Sequence, residues 1–457
     1  MYRRFCYLIE SARRTTTGDV QIMPKPAQKL QFIPVNEDDL NPGHRWHRPL
    51  QAPGTTQVDF EERVDFRRLH RYRLARTRQS IAQSGLGAVL CFEQANIRYI
   101  SSTVIGEWAR DKLLRYTLLT GNGEPWVWDM GSAVRHHKLS CPWLREDHCL
   151  PGNNGMRGAI EPEVGLFRNA AREIKALLKK EGVADMPLGL DVCEPPMLFA
   201  LQEEGIEVRD GQQTMLRARE VKSHDEITLL NIAASMVDGV YQDIAAALKP
   251  GVKESHIVAL AAKRLYEMGS DCVEAINAIS GERCSPHPHN FTDRLIRPGD
   301  QAYFDIIHSF IGYRTCYYRT FTVGSSTPAQ RDAYKRARQW MDDTIAMLKP
   351  GVTTDKAAKM LPKASDIGFE SEMAAYGLNF CHGLGLALHE RPLISRVNSL
   401  IKPNELKEGM VFAIETFCPA TDGFSAARIE EEVVLTPQGA KIITLYPAKE
   451  LPVANPY

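Results

Sequence analysis

Neither charge predominates in this chain: 56 basic side chains stand against 56 acidic ones among 457 residues. A nucleic-acid binder would present a net basic surface, so that class is set aside. Long hydrophobic runs are missing as well. Leu86–Phe92 falls far short of the roughly 20 apolar residues that span a bilayer, so no membrane association is expected. Phe5–Ile9 (FCYLI) is too short for a secretory core, and the Arg- and Thr-rich Arg13–Thr17 makes only a feeble transit-peptide pattern. Met23 is an equally good start. The ten cysteines include no CxxC pair and no regular spacing, which implies reduced thiols in a cytoplasmic protein and no disulfide scaffold. What is present, 44% hydrophobic and 25% charged residues, suits an enzyme of two or three domains at about 150 residues each.

Residues 1–60 are polar and punctuated by prolines, and read as an extended arm. A charged helix is expected over Phe60–Gln83, its arginines (among them Arg63, Arg68, Arg73 and Arg78) forming a solvated face beside Val64, Leu69, Leu74 and Ile81. Leu86–Phe92 reads as a buried strand, and Leu118–Met130 as a hairpin turning at Gly121-Asn122-Gly123. A helix near Phe167–Glu181 and a strand near Pro187–Asp191 complete an α/β domain over 61–217. A second domain over 218–457 opens with Ser223 and Glu226 at capping-box spacing. Behind them Ile227, Leu230, Ala234, Val237, Tyr241, Ile244 and Leu248 mark one face of a long helix, stopped by Pro250-Gly251.

This second domain contains an internal echo. Leu248-Lys-Pro-Gly-Val252 returns as Leu348-Lys-Pro-Gly-Val352, and downstream of each copy a turn leads into an apolar strand bearing one acid. Asp305 lies six places after Gly299, and Glu415 six places after Gly409. A carboxylate in an apolar strand is costly unless paired or bound to a cation. The same cost at the same offset in two half-domains predicts a shared ion between them, in a pseudo-symmetric domain. His382 and Glu430 extend the candidate set. One imidazole with several carboxylates is suited to Fe, Mn, Zn or Co as divalent ions, one or two of them.

These residues resemble the creatinase/aminopeptidase P superfamily, with its pita-bread catalytic domain, over about Leu86 to Pro447. The resemblance implies a small creatinase-type N-terminal α/β domain followed by a pseudo-symmetric pita-bread α+β domain. It places Asp305, His382, Glu415 and Glu430 as metal ligands. Gly312-Tyr313 and Arg319-Thr320-Phe321 hold the register between them. His389, seven residues after His382, matches a substrate-side histidine. His289 matches another better than His287 does. The second aspartate of the family falls at Cys316, eleven residues after Asp305. The Cys316 thiolate either serves as a ligand to a soft-tolerant ion or is a small buried side chain beside the site. His308, Tyr317 and Tyr318 either compensate for the change or pack in the core.

A thiol in place of a bridging carboxylate weakens the peptidase reading, since peptide hydrolysis by paired ions depends on both. The first part of the chain, through Gln94–Tyr99 and Trp108, is similar to the dimethylsulfoniopropionate lyase branch. The expected function is therefore metal-dependent cleavage of a small charged metabolite by C–S β-elimination. The alternatives are an Xaa-Pro aminopeptidase or prolidase-type hydrolase, a creatinase-like C–N hydrolase, or a pseudo-enzyme that binds a peptide. His389 or His289 would move the proton, and Arg428, two residues before Glu430 on one strand face, would orient that carboxylate. Trp108, Tyr313, Tyr317 and Tyr318 are candidates for an aromatic box around a cation, with core packing as their other reading. The resemblance further implies a homodimer in which one N-terminal domain overhangs the partner's site.

Overall fold

The computed structural model describes residues 35–44, 46, 64–104, 106, 115–152 and 158–457. Most of the expected arm, and Trp108, lie outside them. Where described, the arm packs on the body: the His44 Nε2–H donates to the Lys222 carbonyl at 2.7 Å, and the His224 N–H donates to that of Pro42 at 2.6 Å.

The first layered unit begins with α1 (Phe66–Ser84), capped by the Asp65 side chain and closed by Gly85 in the left-handed region. β1 (Ala88–Cys91) and α2 (Gln94–Ser101) follow, then the hairpin β2 (Tyr116–Thr120) and β3 (Trp126–Asp129). Next come α3 (Gly131–Ser140), β4 (Cys149–Pro151), α4 (Leu166–Lys180), β5 (Leu188–Leu190), α5 (Pro195–Glu203), β6 (Val208–Asp210) and α6 (Gln212–Arg219). The strands form one mixed sheet in the order β4-β3-β2-β1-β5-β6. β1 is buried at every residue because helices cover both sheet faces. α6 runs through the expected 217/218 division.

The solvated-face expectation for α1 fails at several arginines. Arg73 is buried and donates to the Tyr313 hydroxyl, which in turn donates to Glu226 at 3.0 Å. Arg68 grips Asp225 with two hydrogen bonds, at 2.8 and 2.7 Å. These two cations are engaged by acids of the helix that opens the second domain, whereas Arg67 and Arg71 remain exposed.

From residue 224 the chain runs twice through one series. The first pass is α7 (His224–Ala247), α8 (Glu254–Glu267), β7 (Cys272–Ser280), β8 (Gln301–Phe310) and β9 (Tyr313–Val323). The second is α9 (Pro328–Met347), α10 (Thr354–Met360), β10 (Phe380–Gly383), β11 (Glu390–Ile394), β12 (Val411–Pro419), β13 (Ala426–Thr436) and β14 (Gly439–Ile442), with β15 (Val453–Ala454) closing back on β9. Both long helices open with complete capping boxes, Ser223 with Glu226 and Thr327 with Gln330. Both reach a Pro-Gly turn whose glycine needs the left-handed region, Gly251 at φ 87° and Gly351 at φ 85°. The Gly251 N–H donates to Ile296 at 2.8 Å, and the Gly351 N–H to Leu406 at 2.9 Å. Two sheets result, ordered β15-β9-β8-β7 and β11-β10-β12-β13-β14. The seven-residue stripe of α7 from Ile227 to Leu248 is buried throughout; each fully buried Leu or Ile contributes about 1.5–3 kcal/mol.

Among the described residues every cysteine is free, and no helix is long and apolar enough to cross a membrane.

Candidate metal centre

Strand alternation and register build the centre. In the β8–β9 ladder Asp305 pairs with Tyr318 and Ile307 with Cys316, so Asp305 and Cys316 are diagonal neighbours on one face. The Cys316 thiol donates to Asp305 Oδ1 at 3.4 Å. In the β12–β13 ladder Glu415 lies directly opposite Glu430. In the β10–β12 ladder Phe380 pairs with Glu415 and His382 with Ala413, which sets His382 diagonal to Glu415.

The two halves are joined by hydrogen bonds between β9 and β13. The Arg428 N–H donates to Thr320 Oγ1 at 3.0 Å, and Glu432 Oε1 accepts from the Cys316 N–H at 2.7 Å and the Thr315 hydroxyl at 2.6 Å. Across this junction Cys316 Sγ lies 3.8 Å from Glu430 Oε2. His382 Nε2 lies 3.6 Å from Glu430 Oε1 and 3.3 Å from Glu415 Oε1. All five side chains are buried, and one ligand atom each from Cys316, His382 and Glu430 fall within 4.8 Å of one another.

Unpaired atoms provide a test of whether a cation fits here. The His382 Nδ1–H donates to the Leu388 carbonyl at 3.0 Å, which turns Nε2 toward the carboxylates. Both His382 Nε2 and Glu430 Oε1 are buried with no hydrogen-bond partner, a costly state unless something is bound between them. Electrostatics agree. Burial and then the Glu415 charge push Asp305 up to about 6, and the same two causes raise Glu430 well above the ordinary carboxylate range. Burial disfavours a charged imidazole at His382, but the facing Glu415 and Glu430 overcome it and push His382 up to about 10. The donor set fits a metal.

Arg428 does not orient Glu430. Its guanidinium contacts the Glu415 carboxylate and donates to the carbonyls of Leu378 at 2.6 Å and Gly377 at 3.0 Å. Arg428 pairs with Phe417, so its nearest carboxylate on that face is the diagonal one across the ladder. The charge of Arg428, joined by His382, holds Glu415 below its ordinary value although burial opposes this.

His389 lies beside His382, with ring centroids 4.6 Å apart. Solvent reaches it, yet protein packed around the ring and the His382 charge lower it to about 4, so it is neutral at pH 7. The following Glu390 is buried against Lys222 at 3.0 Å and Arg219 at 3.6 Å, and accepts from the Ala387 N–H at 3.0 Å. This anchors the segment that carries His389. Ala387 and Leu388 also wall a cleft of about 470 Å³, with Phe92, Glu93, Val192 and Arg314 among its other sides.

His287 and His289 differ in role. Both ring nitrogens of His287 are engaged, Nε2 with the Tyr318 hydroxyl at 2.9 Å and Nδ1 with that of Tyr303 at 3.2 Å. Solvent reaches His289, whose ring lies 4.0 Å from that of His287, yet protein packed around the ring and nearby Arg428 lower it. His308 packs away from the centre, with Nδ1 3.0 Å from Ser270 Oγ and Nε2 3.0 Å from the Ala233 carbonyl. The aromatic box is not formed by its expected tyrosines. Tyr313 is held in the core by Arg73 and Glu226, Tyr317 donates to Asp238 at 2.6 Å, and Tyr318 lies beneath Arg428.

Two contributors escaped the sequence reading. Asn277 donates to Asp305 Oδ2 at 3.0 Å; its signal was a lone amide in the apolar strand Cys272–Ser280. Glu432 clamps the Cys316 backbone, and its position two residues after Glu430 was the available clue.

Residues 228–437 match the profile of Metallopeptidase family M24. Dimethylsulfoniopropionate lyase DddP of Roseovarius nubinhibens is 25% identical over 418 residues, covering 86% of this chain and 91% of that protein. Probable dipeptidase PepE of Mycobacterium bovis is 30% identical over 228 residues, covering 49% of this chain and 58% of that protein. Among solved structures, the prolidase from Thermococcus sibiricus superposes with a TM-score of 0.67 at 21% identity, covering 84% of this chain and 99% of its own. The two-domain pita-bread architecture is thus shared, and the chain is an enzyme of the creatinase/aminopeptidase P superfamily, a lyase or hydrolase of the M24 type.

Proposed function

We propose that this enzyme cleaves a small charged carboxylate by β-elimination, in the manner of a dimethylsulfoniopropionate lyase. The observation that carries the reading is the Cys316 thiol between Asp305 and Glu430, where the family pattern has a carboxylate able to bridge two ions. Paired ions serve hydrolysis by activating water and clamping the tetrahedral oxyanion, whereas elimination needs only a fixed carboxylate and a base. The extent of the likeness adds support, because the lyase matches through most of the chain and the dipeptidase through about half.

Asp305, Cys316, His382, Glu415 and Glu430 are the residues that would hold a divalent metal. When bound, such an ion supplies a Lewis acid for a substrate carboxylate. His389, neutral at pH 7, accepts the proton α to that carboxylate. The C–H electron pair becomes the new double bond, and the C–S pair leaves on sulfur as a neutral sulfide. His289 is the second proton-carrying candidate, and Arg428 keeps Glu415 charged and in place. A homodimer, with the partner's N-terminal domain over the site, belongs to the same reading and is tested by sedimentation.

Retention of the His389 position favours a second reading, hydrolysis of an Xaa-Pro dipeptide. Metal-loaded enzyme offered dimethylsulfoniopropionate and Gly-Pro separately decides between them. Release of dimethyl sulfide with little dipeptide cleavage is expected. Brisk Gly-Pro hydrolysis with an inert sulfonium overturns the lyase reading.

A further inference from the structure

We infer that the centre binds one ion, not two, and that Cys316 thiolate, His382 and Glu430 are its ligands. The inference rests on the site being a metal centre and not on which bond it cleaves.

Three observations carry it. First, the contact distances suit a single four-coordinate ion. Ligand bonds of about 2.0–2.3 Å put the corners of a tetrahedron roughly 3.3–3.8 Å apart. Cys316 Sγ lies 3.8 Å from one Glu430 oxygen, Oε2, and His382 Nε2 lies 3.6 Å from the other, Oε1, while one ligand atom from each of the three residues falls within 4.8 Å of the others, close enough to draw in around one ion. Second, the two outer carboxylates are each half committed. Asp305 gives Oδ2 to the Asn277 amide, and Glu415 gives Oε2 to Arg428. The other oxygen of each faces the same cluster, Asp305 Oδ1 toward Cys316 Sγ at 3.4 Å and Glu415 Oε1 toward His382 Nε2 at 3.3 Å. A fourth ligand to that ion is therefore at hand, while neither carboxylate has both oxygens free to bridge two ions. Third, the Cys316 backbone is fixed, because Glu432 holds both the Cys316 N–H and the Thr315 hydroxyl, and its thiol is turned toward Asp305 and Glu430. His382 Nε2 and Glu430 Oε1, both buried without a hydrogen bond and 3.6 Å apart, face the place where the ion would sit.

A thiolate and an imidazole select for Zn²⁺, Co²⁺ or Fe²⁺ over the harder Mn²⁺ and Mg²⁺. The centre therefore differs in metal preference as well as ion count from an all-carboxylate pair.

Full-length apoprotein titrated with Co²⁺ tests this with no substrate present. About one ion per chain is expected, with a near-ultraviolet thiolate-to-cobalt absorption that saturates at that ratio. In Cys316→Ser the absorption disappears and affinity falls roughly 100-fold or more, because residues merely behind the ligands are worth about 10–100-fold. In Cys316→Asp the stoichiometry rises toward two ions and the absorption is again absent. Circular dichroism confirms that each variant is folded, and the wild-type spectrum stands as a test without either. Two ions per wild-type chain, or saturation with no thiolate absorption, overturns the inference. A failed elimination assay leaves it intact, so the two readings can fail separately.

Discussion

The Arg428 guanidinium lies 4.6 Å from the centroid of the Tyr318 ring and meets the Glu415 carboxylate while fully buried. One planar cation thus joins an aromatic from the first half-domain to a carboxylate from the second. Its fork also supplies the carbonyls of Leu378 and Gly377, which a lysine ammonium cannot span at once. Arg428→Lys should fold, keep the charge, and bind metal roughly 10–100-fold more weakly, as read by equilibrium dialysis. Arg428→Met leaves Glu415 uncompensated and should cost about 3–5 kcal/mol in urea unfolding. Unchanged metal affinity in the lysine variant would show that Glu415 needs no such support.

The network of Arg73, Tyr313 and Glu226 should behave as a buried tie between α1 and the catalytic half. Tyr313→Phe removes the hydroxyl that serves both charges and should lower stability by about 1–3 kcal/mol. By contrast Arg71, exposed and 3.2 Å from Asp39, should cost at most about 1 kcal/mol on change to alanine. Chemical denaturation of the two variants checks the contrast, and equal losses would contradict it.

Those arginines show where the sequence stopped being informative. The repeat Leu-Lys-Pro-Gly-Val, the capping box at Ser223 and the matched acids Asp305 and Glu415 are local patterns, and the geometry follows them closely. Capping and period are decided within a few residues, and a two-residue strand period fixes which side chains share a face. Arg73 was unreadable because its partners Glu226 and Tyr313 lie far along the chain, so nothing nearby distinguishes it from solvated Arg71. The tyrosines failed for a related reason. A tyrosine in an apolar strand looks alike whether its hydroxyl faces a ligand or a half-buried acid such as Asp238. Arg428 was placed on the correct face, but strand periodicity alone could not choose between Glu430 on its own strand and Glu415 across the ladder.

The first layered unit carries its own acid-sensitive group. Asp129 is buried between Arg115 and His137, the latter at 2.9 Å. Burial raises its pKa, but the His137 and Arg115 interactions outweigh this and hold the carboxyl below its usual value. The unfolded chain therefore binds this proton more readily. The stabilisation is complete above the unfolded value of about 3.9 and is lost as pH falls through the folded one. Asp129→Asn should be less stable than wild type by about 3–5 kcal/mol at pH 7, from an uncompensated Arg115. The gap should narrow below pH 4, and urea titrations at both pH values measure it. A gap independent of pH would mean that packing, not charge, is the contribution.

The histidines offer the last contrast. His287 engages two tyrosine hydroxyls with its two nitrogens and has none left for a substrate. His389 makes no such pair of contacts, sits at the solvent-reached edge beside His382, and is neutral at pH 7. His389→Ala should lower kcat by about 10²–10⁴ while the metal content stays at the wild-type level, because the ring is adjacent to the ligands and not one of them. His287→Phe should take one partner from each of the Tyr318 and Tyr303 hydroxyls, the latter still donating to the Cys284 carbonyl at 2.7 Å, and destabilise by about 1–3 kcal/mol, with kcat changing far less than in His389→Ala. Paired measurement of metal content and kcat separates the roles. Loss of metal in His389→Ala would make it a ligand, and a greater kcat loss in His287→Phe would transfer the proton chemistry to the other loop.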